Sequence, residues 1–258
     1  MEHMKELWNY REMIFSLVRR DLKARYRSSI LGFLWMLINP LLQLCIYSIV
    51  FSVIIKMDVE RFYLFLFVAL VPWIFFSTCL SGGTMVIIGQ KELVKKVYFP
   101  RDVLPISFTI SQFVNMIISF AVIFAFVLYA GIKISWMALA LLPVVMVIEF
   151  LFALGIVYLI SSLTVYFRDL EHIMLILSLA WMYMTPILYP VEYVPKQFIK
   201  FFYLNPMTSI TISYRDILYY GVVPAKKILL TAGLLALVVL AIGKCAFAYL
   251  QRGFAREL

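Results

Sequence analysis

The sequence predicts an all-α polytopic membrane protein. Three observations lead there. Of 258 residues, 64% are hydrophobic and 14% charged, with a mean hydropathy of +0.97; a typical soluble domain carries about 25% charge. The apolar residues gather into long runs separated by short charged connections. The first of them, residues 28–55, holds 28 uncharged residues, more than the roughly 20 that cover a bilayer as a helix.

Residues 5–27 read as an amphipathic helix that precedes the spans. Leu7, Tyr10, Ile14, Val18 and Leu22 follow helical spacing,. Arg19, Lys23 and Arg27 recur every four residues on another face, and Asp21 with Arg25 forms an i,i+4 pair,. A basic amphipathic helix of this kind lies in the membrane interface.

Six spans are then expected, at about 30–55, 62–89, 104–130, 135–166, 173–186 and 224–250,. Pro40 should kink the first. Ser81-Gly82-Gly83-Thr84 in the second permits close helix contact or a local break,. The fourth contains Pro143 and one acid, Glu149. The uncharged centre of the last, residues 228–243, is only 16 residues long. Lys227 and Lys244 must therefore snorkel outward from its ends. The chain divides into an N-terminal helix (1–28), a six-span domain (29–252) and a short tail (253–258).

An even number of spans puts both termini on one side. Their side carries 14 Lys/Arg against eight on the other, and the excess predicts cytoplasmic termini. The net charge of +9 sits beside apolar spans, where positive-inside flanks and anionic lipid head groups account for it better than nucleic acid does.

The stretch between Pro186 and Pro224 is too polar to span and too apolar for an ordinary loop. Phe198, Ile199, Phe201, Phe202 and Tyr203 form a cluster that ends at Asn205-Pro206. Asn205 suits the cap of a helix whose first residue is Pro206, and Gly221 suits its close. Irregular backbone at membrane depth needs protein or water around it. Two short re-entrant helices on the extracellular side are expected, the second over about 206–220.

No catalytic constellation is visible. His3 and His172 are far apart and lack a zinc-type Cys/His spacing,. Cys45, Cys79 and Cys245 lie in separate apolar runs and read as buried hydrophobes,. No G-x-x-x-x-G-K-[ST] phosphate loop occurs, so ATP hydrolysis by this chain alone is not expected,. Glu149 is a functional candidate as an intramembrane acid, or a bonded structural group. Two short connections, Gln90–Arg101 and Tyr166–His172, mix exposed aromatics with paired charges, as partner surfaces do,. Among the abundant aromatics, most belong to interfacial belts; others are suited to stack on sugar rings.

Tyr26-Arg27-Ser28-Ser29-Ile30-Leu31-Gly32-Phe33-Leu34-Trp35, Asn39-Pro40, Val71-Pro72-Trp73-Ile74-Phe75-Phe76, the 91–105 loop, Tyr166-Phe167-Arg168-Asp169-Leu170 and Asn205-Pro206-Met207-Thr208 follow in that order. In order and spacing the chain resembles the transmembrane subunits of type-two ABC exporters, and within them the group exporting O antigens, capsules and teichoic acids. The resemblance spans nearly the whole chain. It implies a homodimer of six-span permeases in the bacterial cytoplasmic membrane, joined to two ATP-binding subunits. ATP and Mg would be bound by those partners, with no cofactor and no metal in this chain.

The resemblance also implies roles. The N-terminal helix becomes an interface helix. Lys91, Glu92, Lys95, Lys96, Tyr98 and Arg101, with Arg168, Asp169 and Glu171, become the ATPase-coupling surface. Phe33, Trp35, Trp73, Phe76, Trp181 and Tyr183 are candidates for a glycan path, and Arg19, Lys23, Arg25 and Arg27 for a gate that meets a lipid pyrophosphate. The expected activity is ATP-driven export of an undecaprenyl-linked polysaccharide or teichoic-acid-like polymer. The alternatives are a type-two exporter of drugs or small lipids, and a membrane-embedded enzyme or ion-coupled carrier. The last class calls for several intramembrane acids or polar pairs, where this sequence offers mainly Glu149,.

Overall fold

The computed structural model describes residues 7–26 and 31–258, and every regular element among them is helical. Helix α1 (Arg11–Tyr26) precedes α2 (Trp35–Ser48), which a π-helical stretch (Ile49–Ile54) extends. Next come α3 (Phe62–Gly82), the short α4 (Met85–Ile88) and α5 (Lys91–Lys96), then α6 (Val103–Tyr129) and α7 (Trp136–Tyr166). Helix α8 (Leu170–Tyr183), α9 (Ile199–Leu204) and α10 (Pro206–Leu218) lead into α11 (Lys226–Leu250) and a last turn, α12 (Phe254–Glu257).

Among the described residues, five helical stretches are long and apolar enough to cross a membrane: Trp35–Ile54, Phe62–Gly82, Val103–Tyr129, Trp136–Tyr166 and Lys226–Gly253. The expected span at 173–186 is different. It is α8, an apolar helix of 14 residues, about 21 Å long at 1.5 Å per residue, against a hydrocarbon core of about 30 Å. It stops where the chain turns through Thr185-Pro186-Ile187, and Pro186 has no N–H with which to extend it,.

The five stripe residues of the N-terminal segment face the protein: Val18 is buried, and Leu7, Tyr10, Ile14 and Leu22 are half-buried. Ser111 Oγ of α6 donates to Asp21 Oδ2 at 2.7 Å, which fixes α1 against α6. Pro40 lies inside α2, and the helix continues through it. The missing N–H leaves the Met36 carbonyl without its i+4 donor. Ser119 Oγ of α6 donates to that oxygen instead, at 3.4 Å.

Helix α3 is the hub, with 78% of its apolar window buried, against 11% for α2 and 17% for α11. Its end at Gly82 realises the break expected from Ser81-Gly82-Gly83-Thr84. A Cβ on Gly83 would stand 2.6 Å from Ile160 Cδ1, so the same glycine also permits close approach to α7. Helices α7 and α11 form the most extensive helix pair. They meet at Gly155 and Gly243: a Cβ on Gly155 would lie 2.7 Å from the Leu240 backbone, and one on Gly243 would strike the Gly155 carbonyl.

The bundle has two distinct ends. One gathers α5, the start of α6, and the last turns of α7 and α11; there Tyr166 Oη donates to the Leu250 carbonyl at 2.8 Å. At the other, Arg61 Nη1 donates to the Ala130 carbonyl at 2.6 Å. Gly221 there has a φ of +71°. A side chain at that position would stand 2.5 Å from the Lys133 carbonyl, so a left-handed, side-chain-free residue is required,.

Candidate functional site

The connection between α4 and α6 presents charge at the first of these ends. Val94 and Phe99, both buried, anchor it. Lys91, Glu92, Lys95 and Lys96 are exposed, and Tyr98 is 91% exposed. Lys96 pairs with Glu92 across one turn at 2.7 Å, an exposed i,i+4 contact of small energetic weight. The helix ends at Lys96, after which Val97 is extended and the chain runs to Pro100. A cleft of about 510 Å³ opens beside it, lined by Val94, Tyr98, Pro100, Ala248 and Arg252 among others. Arg101 lines this cleft too, but it is half-buried: its Nη1 donates to the Gln251 carbonyl, and its guanidinium lies 5.7 Å from the Phe254 ring. In the second connection Phe167, Arg168 and Asp169 are exposed and Glu171 is half-buried.

Helix α10 carries the chemistry that pattern reading passed over. Asn205 Oδ1 accepts from the Met207 amide at 3.0 Å, and Pro206 is the first helical residue, as the sequence predicts,. The same amide does more. Its Oδ1 accepts from Trp181 Nε1 at 2.9 Å, and its Nδ2 donates to Thr185 Oγ1 at 2.8 Å. One side chain thereby caps α10 and ties it to the end of α8. Most of α10 is buried against α3, α7 and α11.

Arg215, in the last turn of α10, is 3% exposed. Its guanidinium lies 3.5 Å from the Phe65 ring centroid, and it donates to three carbonyls, those of Phe65, Pro186 and Ile187. A planar fork with five donors is suited to this, and an ammonium is not. Arg215 thus joins α10, the turn after α8, and α3.

Glu149, fully buried in α7, accepts a hydrogen bond from Tyr214 Oη at 2.7 Å. Its second oxygen has no hydrogen-bond partner. Glu149→Gln keeps an acceptor for Tyr214 and should leave the protein folded. Glu149→Leu strands a buried phenol, at about 1–3 kcal/mol. Thermal unfolding in detergent checks the difference; equal midpoints for the two variants contradict the bond's importance.

The candidate path aromatics separate into two groups. Trp73 and Phe76 are buried, and with Phe152 and half-buried Trp181 they form one cluster, with Phe76 to Trp181 at 5.0 Å and Phe76 to Phe152 at 5.1 Å. Tyr183 is exposed. Trp35 is half-buried and lines a pocket of about 150 Å³ with Asn39, Thr78, Gln112, Asn115 and Ser119. The side chain of Phe33 lies outside the described residues. Of the basic candidates on the N-terminal segment, Arg19 and Lys23 are exposed, while the Arg25 side chain and Arg27 also lie outside them. Among the described residues, no group of three or more His, Cys, Asp or Glu is placed to hold a metal ion.

What these residues build is a braced helical bundle with a charged platform at one end. Residues 12–219 match the ABC-2 type transporter family, so the chain belongs to that family and is a multi-pass membrane permease. It is similar to the O-antigen export system permease protein RfbA of Myxococcus xanthus, with 35% identity over 257 residues, covering 99% of this chain and 98% of that one. Two Klebsiella pneumoniae proteins of the same name are similar as well: one is 31% identical over 82% of each chain, the other 30% identical over 81% of each.

Proposed function

We propose that this chain is the transmembrane subunit of an ATP-driven exporter that moves a lipid-linked polysaccharide of the O-antigen type across the bacterial cytoplasmic membrane. The similarity over essentially the full length of an O-antigen export permease supports it most directly. Family membership favours a partner chain that hydrolyses ATP, and two copies of the permease with two copies of that partner. In this reading both termini are cytoplasmic, in line with the excess of Lys and Arg on their side,. Helix α8 with the turn at Pro186 makes the fifth crossing, completed by the α9–α10 hairpin from the extracellular side.

The exposed platform Lys91, Glu92, Lys95, Lys96 and Tyr98 then seats the ATP-binding subunit, with Arg168 and Asp169 as a second contact. Tyr183 and Trp35 stand at surfaces a glycan could follow, and buried Trp73 and Phe76 with half-buried Trp181 stiffen the wall behind them. Arg19 and Lys23 are placed to meet a lipid pyrophosphate. A small-lipid cargo would share the platform; the relatives' names favour the polysaccharide.

Reversing charge at Lys95 and Lys96 to Glu tests the platform. Both side chains are exposed, so the purified permease should keep its elution profile and melting temperature. Capture of the ATP-binding subunit should fall about tenfold or more, since like-charge juxtaposition at an interface costs several kcal/mol. Unchanged capture and unchanged export contradict the assignment.

A further inference from the structure

One partly buried charged contact has no place in the platform or in the path. Asp102 follows the α5 connection and is 1% exposed. Its Oδ1 accepts from Lys244 Nζ, which reaches it from the last turns of α11. The Lys244 ammonium also lies 5.0 Å from the Tyr158 ring centroid of α7. One residue earlier, Arg101 holds the Gln251 carbonyl and covers Phe254. The end of the exposed connection is thus fastened to the end of α11 by two adjacent residues. Nearby, α11 is interlocked with α7 at Gly243 and Gly155.

Burying the Asp102 carboxylate to pair it with a half-buried lysine is a poor means of raising stability, because an apolar pair of similar volume commonly does as well or better,. Its distinctive effect is on register, since a charge must follow its partner or be left buried and uncompensated. Slippage of α6 against α11 at this point would part Asp102 from Lys244. A displacement of the 91–101 segment therefore carries α11 with it, and α7 through the glycine contact.

We propose that Asp102 and Lys244 form the joint that passes movement of the 91–101 segment to α11, as positioning residues for coupling ATP hydrolysis to export. This rests on reading that segment as the seat of the ATP-binding subunit. The measurement is polysaccharide exported per ATP hydrolysed, by the permease in complex with its ATP-binding subunit in proteoliposomes. The variants are Lys244→Met, Lys244→Arg, the neutral pair Asp102→Asn with Lys244→Met, and the reversed pair Asp102→Lys with Lys244→Asp.

The neutral pair leaves no lone buried charge and should assemble and hydrolyse ATP at a rate close to wild type. Its export per ATP should fall about tenfold, within the range by which residues of a coupling network act. Lys244→Arg should recover most of the ratio, and the reversed pair part of it. Lys244→Met alone should lose complex as well as coupling, because it removes the cation that compensates the buried Asp102 carboxylate. A wild-type ratio in the neutral pair overturns the joint while leaving the seat intact. A wild-type permease that neither binds an ATP-binding subunit nor exports with it overturns the reading of the segment and the joint together.

Discussion

Arg215→Met should lower the stability of the permease by about 3 kcal/mol or more. The substitution keeps an unbranched apolar stem but removes every donor. It leaves the Pro186 and Ile187 carbonyls of the turn without the guanidinium that now reaches them, and each unsatisfied buried acceptor costs about 1–3 kcal/mol; the Phe65 carbonyl, inside α3, loses only its second donor. It also removes the cation from the Phe65 ring face, 3.5 Å away,. Arg215→Lys should recover only part of this, because one ammonium cannot reproduce a planar fork across three acceptors. The measurement is thermal unfolding in detergent, paired with limited proteolysis of residues 187–221. Lower midpoints with faster cleavage in that stretch are expected for Met, and intermediate values for Lys. Wild-type values for both variants contradict the bracing role.

Gly243→Val should be the second severe substitution. Even its Cβ runs into the Gly155 carbonyl, a backbone atom that cannot rotate aside. Helices α7 and α11 would have to separate over their most extensive contact. Overpacking of a core commonly costs about 1–3 kcal/mol, occasionally more, and a clash with backbone belongs at the upper end. Gly155→Val should behave alike, since its Cβ would stand 2.7 Å from Leu240 backbone atoms. Gly233→Ala, in the same helix as Gly243, is the control. Its nearest neighbour is the flexible Ile148 Cδ1 at 3.8 Å, and alanine is the better helix former by about 0.8–1 kcal/mol. Folded yield after solubilisation should drop sharply for the two valine variants and hold or rise for the control. A Gly243→Val protein of normal yield and melting temperature contradicts the interlock.

The features legible in the sequence were those written locally. Long uncharged runs mark where the five long apolar helices lie, though the second ends at Gly82 rather than near residue 89, and Asn205-Pro206 marks the start of α10. The stripe Leu7, Tyr10, Ile14, Val18 and Leu22 picks out the protein-facing side of the N-terminal helix. What escaped depends on residues far apart in the chain. Glu149 and Tyr214 are 65 positions apart, and Asp102 and Lys244 are 142 apart. Lys244 reads in sequence as a charge that snorkels to the membrane edge; in the structure it turns onto a carboxylate instead. Arg101 looks like part of the exposed basic platform and is instead fastened to the tail.

The aromatics show the same limit. Hydropathy cannot distinguish a ring that faces a path from one that fills a core, and Trp73 and Phe76 fill the core. Helix α8 is the clearest difference. Its apolar composition reads as a span, yet its length is set by the turn at Pro186, which Arg215 and Asn205 hold from α10. One residue signals it: Arg215, which with Asp216 is the only charge in Pro206–Leu218, where a charge without a role would be expensive,.

The central claim is that this permease moves a lipid-linked polysaccharide when an ATP-binding partner hydrolyses ATP. The most direct measurement is transfer of a defined undecaprenyl-linked polysaccharide across proteoliposomes that contain the permease, with and without the ATP-binding subunit that co-purifies with it. Transfer is expected only with both chains and hydrolysable ATP, and should be lost with Lys95 and Lys96 reversed to Glu. Transfer that is independent of ATP, or a complex that hydrolyses ATP and moves a small amphiphile but no polysaccharide, contradicts it.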